Sequence, residues 1–462
     1  MWLRRCRRSV IVLFALMVVV TACGGDTAIT NTTQTAASTS ATTAPTTSTS
    51  ATSVSASTAA PDAASTTSTT VAGSASETTQ APAAEEAAAS FRGYGRAGRF
   101  PGPAPEGAPG LAWTFSGEGG AVLPVLEGGV AYTQDTAAVT ALDLGSGEVI
   151  WSTALPTADP ETPVLSGGAV IALSVPEPYE DAAGWHPSGV TEIVAFDSGD
   201  GTRLWRAPVD ALVEVAAPAI DEDVLVMVGT GDLLWEACGD LCYPDGWVVA
   251  FDALTGQELW RVAENAPRTV GAAEGTVVVP FGNSPLVAYD LATGDELWLT
   301  WRCTGGMGPP AITNGRVVLA TDSTAVPYEP CRQAFDLRTG DALWSREIER
   351  QGQRLLVLTD DTAFIGDGQA ISAIDAATGE ELWREDGLVG QPTMVGQQII
   401  VDGVDAEDNR IMVGLRVADG LEVWRLDVTG EYSSWGGWGV VAADGVVIRT
   451  DGNTLQAFAV EG

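Results

Sequence analysis

The sequence predicts an all-β fold, an eight-bladed β-propeller of four-stranded antiparallel blades whose ring is closed by an N-terminal strand. Three observations predict it. An Asp, a Gly four residues on and a Trp four after that recur at Asp143/Gly147/Trp151, Asp197/Gly201/Trp205, Asp252/Gly256/Trp260, Asp290/Gly294/Trp298, Asp336/Gly340/Trp344 and Asp375/Gly379/Trp383. A further copy, Arg416/Gly420/Trp424, keeps the Gly and Trp and loses the Asp. The Trp residues follow one another at 38 to 55 residues, close to the blade period of propellers. Finally, one unit is split between the chain ends. Leu111-Ala112-Trp113-Thr114-Phe115 is a lone Trp-bearing strand, and three strands without a fourth follow Trp424.

Each element has a local reason. In Ala250-Phe251-Asp252-Ala253-Leu254-Thr255-Gly256-Gln257-Glu258-Leu259-Trp260 a run of strand formers ends in Asp. Asp hydrogen-bonds backbone two residues on, and Gly takes a positive φ without steric cost, so each frame turns a β-hairpin. Two more strands precede each frame, such as Val213–Ala217 and Val224–Val228 before Asp252, or 355–358 and 363–365 before Asp375. Turn signals separate them at Asp221-Glu222-Asp223, Asn314-Gly315 and Asp360-Asp361. Four strands per unit result, with the Trp on the last. One large apolar ring at a fixed place in every unit reads as a packing plate between stacked units. The docking plates are therefore Trp113, Trp151, Trp205, Trp260, Trp298, Trp344, Trp383 and Trp424. The strands after Trp424 are expected around 439–443, 446–449 and 454–460, and Trp113 beside the last of them completes the eighth blade and protects its edge.

Ahead of the propeller lie two segments of different composition. In residues 1–23 a positive n-region (Arg4, Arg5, Arg7, Arg8) precedes an apolar run from Val10 to Val20, too short to span a bilayer. It ends in Val20-Thr21-Ala22-Cys23-Gly24, which resembles a bacterial lipobox; Cys23 is the expected lipidation site, and acyl chains there would anchor the protein without a span. Residues 24–109 are expected to be a disordered tether. Its first part, rich in Ser, Thr, Ala and Pro, buries too little apolar surface to offset ordering entropy. The part from Phe91 to Pro109 reads as a linker or as a strap on the head. The propeller is expected over 110–462.

Composition narrows the functions. The formal charge is −37, and every basic residue is Arg, since no Lys occurs. Such acidity disfavours nucleic-acid binding and favours cationic partners. The lone His186, read as a surface loop residue, rules out a multi-His metal site; without Lys, Schiff-base and P-loop chemistry also go.

The frame at 250–260 resembles the tryptophan-docking repeat of the PQQ-like, quinoprotein-dehydrogenase-type β-propellers, over roughly Leu111 to the C-terminus. The resemblance implies fold more than activity. Its family holds calcium- and PQQ-dependent alcohol dehydrogenases and also non-catalytic members, among them the lipoprotein of outer-membrane barrel assembly. The dehydrogenases commonly carry adjacent cysteines, absent here, and none of the acidic residues matches their site motifs. No cofactor, neither PQQ nor calcium, is expected, and no catalytic residue is assigned.

What the repeat leaves unexplained sits in its loops. With Cys6 leaving on the signal, Cys238, Cys242, Cys303 and Cys331 remain, and export makes disulfides the default. Of the three possible connectivities, Cys238–Cys242, which share one insertion, and Cys303–Cys331 are expected, the latter because loops from the second to the third strand and from one blade to the next emerge on one face. The same loops carry Trp185, Trp235, Tyr243, Trp301, Tyr328, Trp435 and Trp438. They form either a recognition face for a protein, peptide or glycan, or satellite clusters beneath long loops. Asp402, Asp405, Glu407 and Asp408 read as a solvated acidic hairpin. The expectation is thus a monomeric, non-enzymatic, lipid-anchored binding or scaffold protein outside the cytoplasm, with a quinoprotein oxidoreductase and an envelope assembly factor as alternatives.

Overall fold

A computed structural model of the protein describes residues 99–460 except 101, 159, 176–178, 182–183, 187–188, 214–217, 231–244, 266, 268, 282–284, 303–305, 323–330, 348–354, 367–369, 407–408, 429–439 and 451–453. Every regular element among the described residues is a strand. They form eight antiparallel blades, each labelled A to D from first strand to last. Blade 1 runs from Val125–Glu127 to Val149–Ala154, blade 2 from Val164–Ser166 to Arg203–Val213, and blade 3 from Ala219–Asp221 to Glu258–Asn265. Blade 4 runs from Gly271–Ala273 to Glu296–Trp301, blade 5 from Ala311–Thr313 to Ala342–Glu347, and blade 6 from Leu355–Leu358 to Glu381–Asp386. Blade 7 runs from Val389–Val395 to Glu422–Asp427. Blade 8 takes Val440–Ala443, Val446–Thr450 and Thr454–Ala459 from the C-terminal end and Gly110–Ser116 as strand D from the other. Trp113 stands opposite Ala457, and Leu111 opposite Phe458, as the split unit predicts.

Apolar clusters link the blades in sequence, blades 1 to 2, 2 to 3, and so on to 6 to 7; one cluster then joins blades 7, 8 and 1. The circuit is complete. Strands B and C are buried on both faces, which is why they read as unbroken apolar runs such as Val277-Val278-Val279. Strand D alternates in blades 1, 4 and 7, with its Trp buried and its neighbours exposed, whereas Trp205, Trp260 and Trp383 are half-buried.

The frame performs its predicted turn. In blade 3, Asp252 Oδ1 accepts from the N–H groups of Leu254 and Thr255 and from the Thr255 hydroxyl. Gly256 takes φ 73° and donates to Asp252 O at 2.7 Å. Where Asp is lost, Arg416 still accepts from Gly420 N and its guanidinium pairs with Asp419 at 3.0 Å. A β-bulge follows every turn, leaving the residue before each Trp unpaired: Ile150, Leu204, Leu259, Leu297, Leu343, Leu382 and Val423. Each of these seven is exposed.

Strand A of blade 3 departs from the expectation. It is Ala219–Asp221, whereas Val213 ends the long D strand of blade 2 and pairs with Thr230. Of the strand expected at Val213–Ala217, only Val213 is described, and it prolongs an existing strand; 214–217 lie outside the described residues. The chain also joins the propeller before residue 110. Arg99–Phe100 pairs in parallel with Met394 and Val395 of blade 7, and Pro103 O accepts from Gly445 N of blade 8. Residues 99–100 and 102–105 are thus a strap, as one reading of the segment before 110 expects.

Candidate functional site

The eight indoles define the inner chemistry of the molecule. Seven N–H groups donate to the carbonyl of the residue that follows the frame Asp, or Arg416, in the next blade's turn. The acceptors, at 2.8–3.1 Å, are Leu144 for Trp113, Ser198 for Trp151, Ala253 for Trp205, Leu291 for Trp260, Leu337 for Trp298, Ala376 for Trp344 and Val417 for Trp383. Each ring lies against that turn's glycine; a Cβ on Gly340 would stand 2.7 Å from Trp298, and one on Gly256 2.5 Å from Trp205. The glycine is therefore required twice, for its φ and for the ring above it. Opposite each of these indoles, on the neighbouring strand, is an Ala.

Trp424 of blade 7 differs. Strands C and D of blade 8 come from opposite chain ends, so no hairpin turn connects them and no carbonyl or glycine waits for this indole. Its N–H donates instead to Gln398 Oε1 at 2.8 Å, and Gln398 Nε2 donates to Pro105 O of the strap at 2.7 Å. The ring lies over Gly414 in place of the usual Ala; a Cβ there would meet the indole at 2.4 Å. The same joint contains a buried ion pair. Asp402 of blade 7 accepts from Arg449 Nε of blade 8 at 3.2 Å and from Arg410 at 3.4 Å, with Asp402 2 % exposed and Arg449 fully buried. Burial pushes the Asp402 carboxyl up, opposed by the two guanidinium groups. Asp402 is not part of a solvated acidic hairpin, since alternation along strand B turns it into the joint. Asp405 is bonded by Asn409, and Glu407 and Asp408 lie outside the described residues.

The expected recognition face is only partly described. Trp235, Tyr243, Tyr328, Trp435 and Trp438 lie outside the described residues, as do Cys23, Cys238, Cys242 and Cys303. Cys331 is buried at the start of strand C in blade 5 and is disulfide-bonded, its partner lying outside the described residues. Trp185 and His186 belong to a strand, Gly184–His186, which pairs with Tyr179–Asp181 in a two-stranded ribbon between strands B and C of blade 2, not to an irregular loop. Trp301 ends strand D of blade 4 and is 68 % exposed, so it sits on the outer rim, not in a loop.

A calcium–quinone centre, which the resemblance raises, needs several converging oxygens. Among the described residues no three His, Cys, Asp or Glu side chains converge, and the most buried carboxylate, Asp402, is engaged by Arg449 and Arg410. These residues do not supply such a centre.

Docked indoles, frame turns and a ring closed by both chain ends define a PQQ-like β-propeller, a class used for both catalysis and assembly. The family model described as "Outer membrane protein assembly factor BamB" matches residues 105–237, 244–330 and 333–461, and the chain belongs to that family. The protein of that name from Burkholderia pseudomallei (strain K96243) is 28% identical over 316 residues, covering 63% of this chain and 73% of its own. The one from Bordetella pertussis (strain Tohama I) is 25% identical over 246 residues, covering 47% of this chain and 58% of its own. Among solved structures, BamB from Moraxella catarrhalis superposes with a TM-score of 0.52 at 14% identity, covering 76% of this chain and 99% of that one. A quinohemoprotein alcohol dehydrogenase from Comamonas testosteroni gives 0.50 at 14% identity, covering 76% and 77%. The structural likenesses speak for the fold alone.

Proposed function

We propose that this chain is a non-catalytic scaffold of an envelope protein-assembly machinery, held outside the cytoplasm by lipid on Cys23 and presenting its propeller to other proteins. One observation carries the reading: the match to the assembly-factor family runs from the strap to the last strand. It favours assembly over the broader binding or glycan-recognition reading. The buried indoles are structural, so recognition falls to what the repeat does not use, namely the loops around Trp185, Trp235, Trp435 and Trp438 and the rim near Trp301.

Two measurements test it. Crosslinking on intact cells should recover envelope proteins joined to the propeller, and recovery should fall when Trp435 and Trp438 are replaced by Ser. A Cys23→Ala protein should leave the membrane fraction. Recovery of no envelope protein by the native chain would overturn the scaffold reading. Alcohol- or sugar-dependent dye reduction on adding PQQ and Ca²⁺ would instead favour the oxidoreductase that the fold also accommodates.

A further inference from the structure

The bulge before each Trp accounts for seven exposed large hydrophobic residues of the D strands; Leu111 and Val149 precede it, and among the described residues only Leu299 and Trp301, 49 % and 68 % exposed, lie beyond the indole. They follow the indole of blade 4 at one and three residues. At the first of these positions the other blades carry Ser152, Arg206, Arg261, Ser345, Arg384, Arg425 and Thr114; at the second they carry Ala154, Pro208, Ala263, Glu347, Asp386, Asp427 and Ser116. Strand D is the outer edge of its blade. Charges and hydroxyls on such an edge are the usual guard against pairing with a foreign strand. At these two positions blade 4 alone carries only large apolar side chains. Trp298 turns toward blade 5, so by alternation Leu299 and Trp301 face the opposite side, with the bulged Leu297 adjoining.

We infer that strand D of blade 4 is a docking edge for an extended segment of another protein, added as a fifth strand. Its backbone would supply the ladder, and Leu297, Leu299 and Trp301 would take alternate apolar side chains. Asp295 and Glu296 are exposed at the start of the edge, and the chain carries −37 overall, so the segment is expected to have basic ends. The same charge opposes a second copy in that position. This deepens the scaffold reading, yet the two fail separately: changing the Trp435/Trp438 loops should leave this edge competent.

The test uses the whole chain and a fluorescent peptide of roughly eight residues, Val alternating with Thr and Arg at both ends. The variant L299R/W301D is expected to fold, because it copies Arg384 and Asp386, which form a 2.7 Å ion pair at the same positions of blade 6. Anisotropy should show saturable binding to the native chain, weakened about tenfold or more in the variant. A peptide with Pro at its centre, unable to complete the ladder, should not bind. Equal binding to both chains, or equal binding of the Pro peptide, would overturn the inference. So would concentration-dependent dimerisation that the variant abolishes, which would make the occupant a second copy. Binding of the unlipidated chain to phosphatidylglycerol vesicles, lost in the variant, would assign the stripe to a membrane and also overturn it.

Discussion

Seven joints of this ring are alike and one is not. At the seven, an indole of one blade sits on the glycine turn of the next, bonded to its backbone. At the joint of blades 7 and 8 the turn is missing, and Gln398, the strap carbonyl of Pro105 and the Asp402–Arg449 pair stand in its place. The difference follows from topology. Closing a ring with a strand from the other chain end removes one hairpin, and with it one docking turn. A buried indole N–H left unpaired costs about 1–3 kcal/mol, so the seam needs a substitute acceptor. The substitute is built from side chains and from a segment outside the repeat. Repeated joints are secured by backbone geometry, the seam by particular residues.

That contrast can be broken in order of effect. Asp402→Ala should be the most damaging seam substitution, at about 3–5 kcal/mol, because it leaves Arg449 charged and buried without its carboxylate. Urea unfolding should show it, and a loss under about 1 kcal/mol would mean that the pair does not secure the seam. At a regular joint, Gly340→Ala should cost about 2–3 kcal/mol, since the left-handed φ alone accounts for about 1–2 and the new Cβ collides with Trp298. Gly414→Ala in the seam has the collision without the left-handed φ. The melting temperatures of the two variants would therefore separate the φ cost from the steric cost.

Gln398→Ala should cost about 1–3 kcal/mol, leaving both the Trp424 N–H and the strap carbonyl unpaired. Starting the chain after Pro105 should weaken the seam in the same way, and adding Gln398→Ala to that truncation should then cost less than it does alone. Full additivity would show that the two do not act through one chain of hydrogen bonds.

The smallest effect is expected at a frame Asp. Hydrogen bonds from the Ser146 hydroxyl and N–H hold the Asp143 carboxyl below its ordinary range. A depressed folded-state value means that the contribution is present above the unfolded value and is lost as pH falls through the folded one. Asp143→Asn should therefore be slightly less stable at neutral pH, and the gap should close as the pH falls below the ordinary carboxylate range and through the folded-state value. A gap that persists in acid would assign the effect to shape, not charge.

Much of the wheel was legible in the chain. The Asp–Gly–Trp frame specified hairpin and docked ring together, because both are local to eleven residues; the bulge between them was seen only in the structure. The split repeat announced the closing strand, because Trp113 had no blade of its own. Val213 misled because an apolar stretch does not say which strand it prolongs. Of the candidate face, only Trp and Tyr residues stood out in sequence. Leu299 would have been found by comparing the residue after each frame Trp, where Leu replaces Ser, Thr or Arg.

By itself, the sequence determined the repeat, the number of blades and where the chain ends meet, since turn chemistry and hydrophobic period act between near neighbours. Only the tertiary structure decided what holds the seam. Gln398 and Pro105 lie 293 residues apart, and no local preference connects them. They become partners only when the ring closes and leaves one indole without its turn.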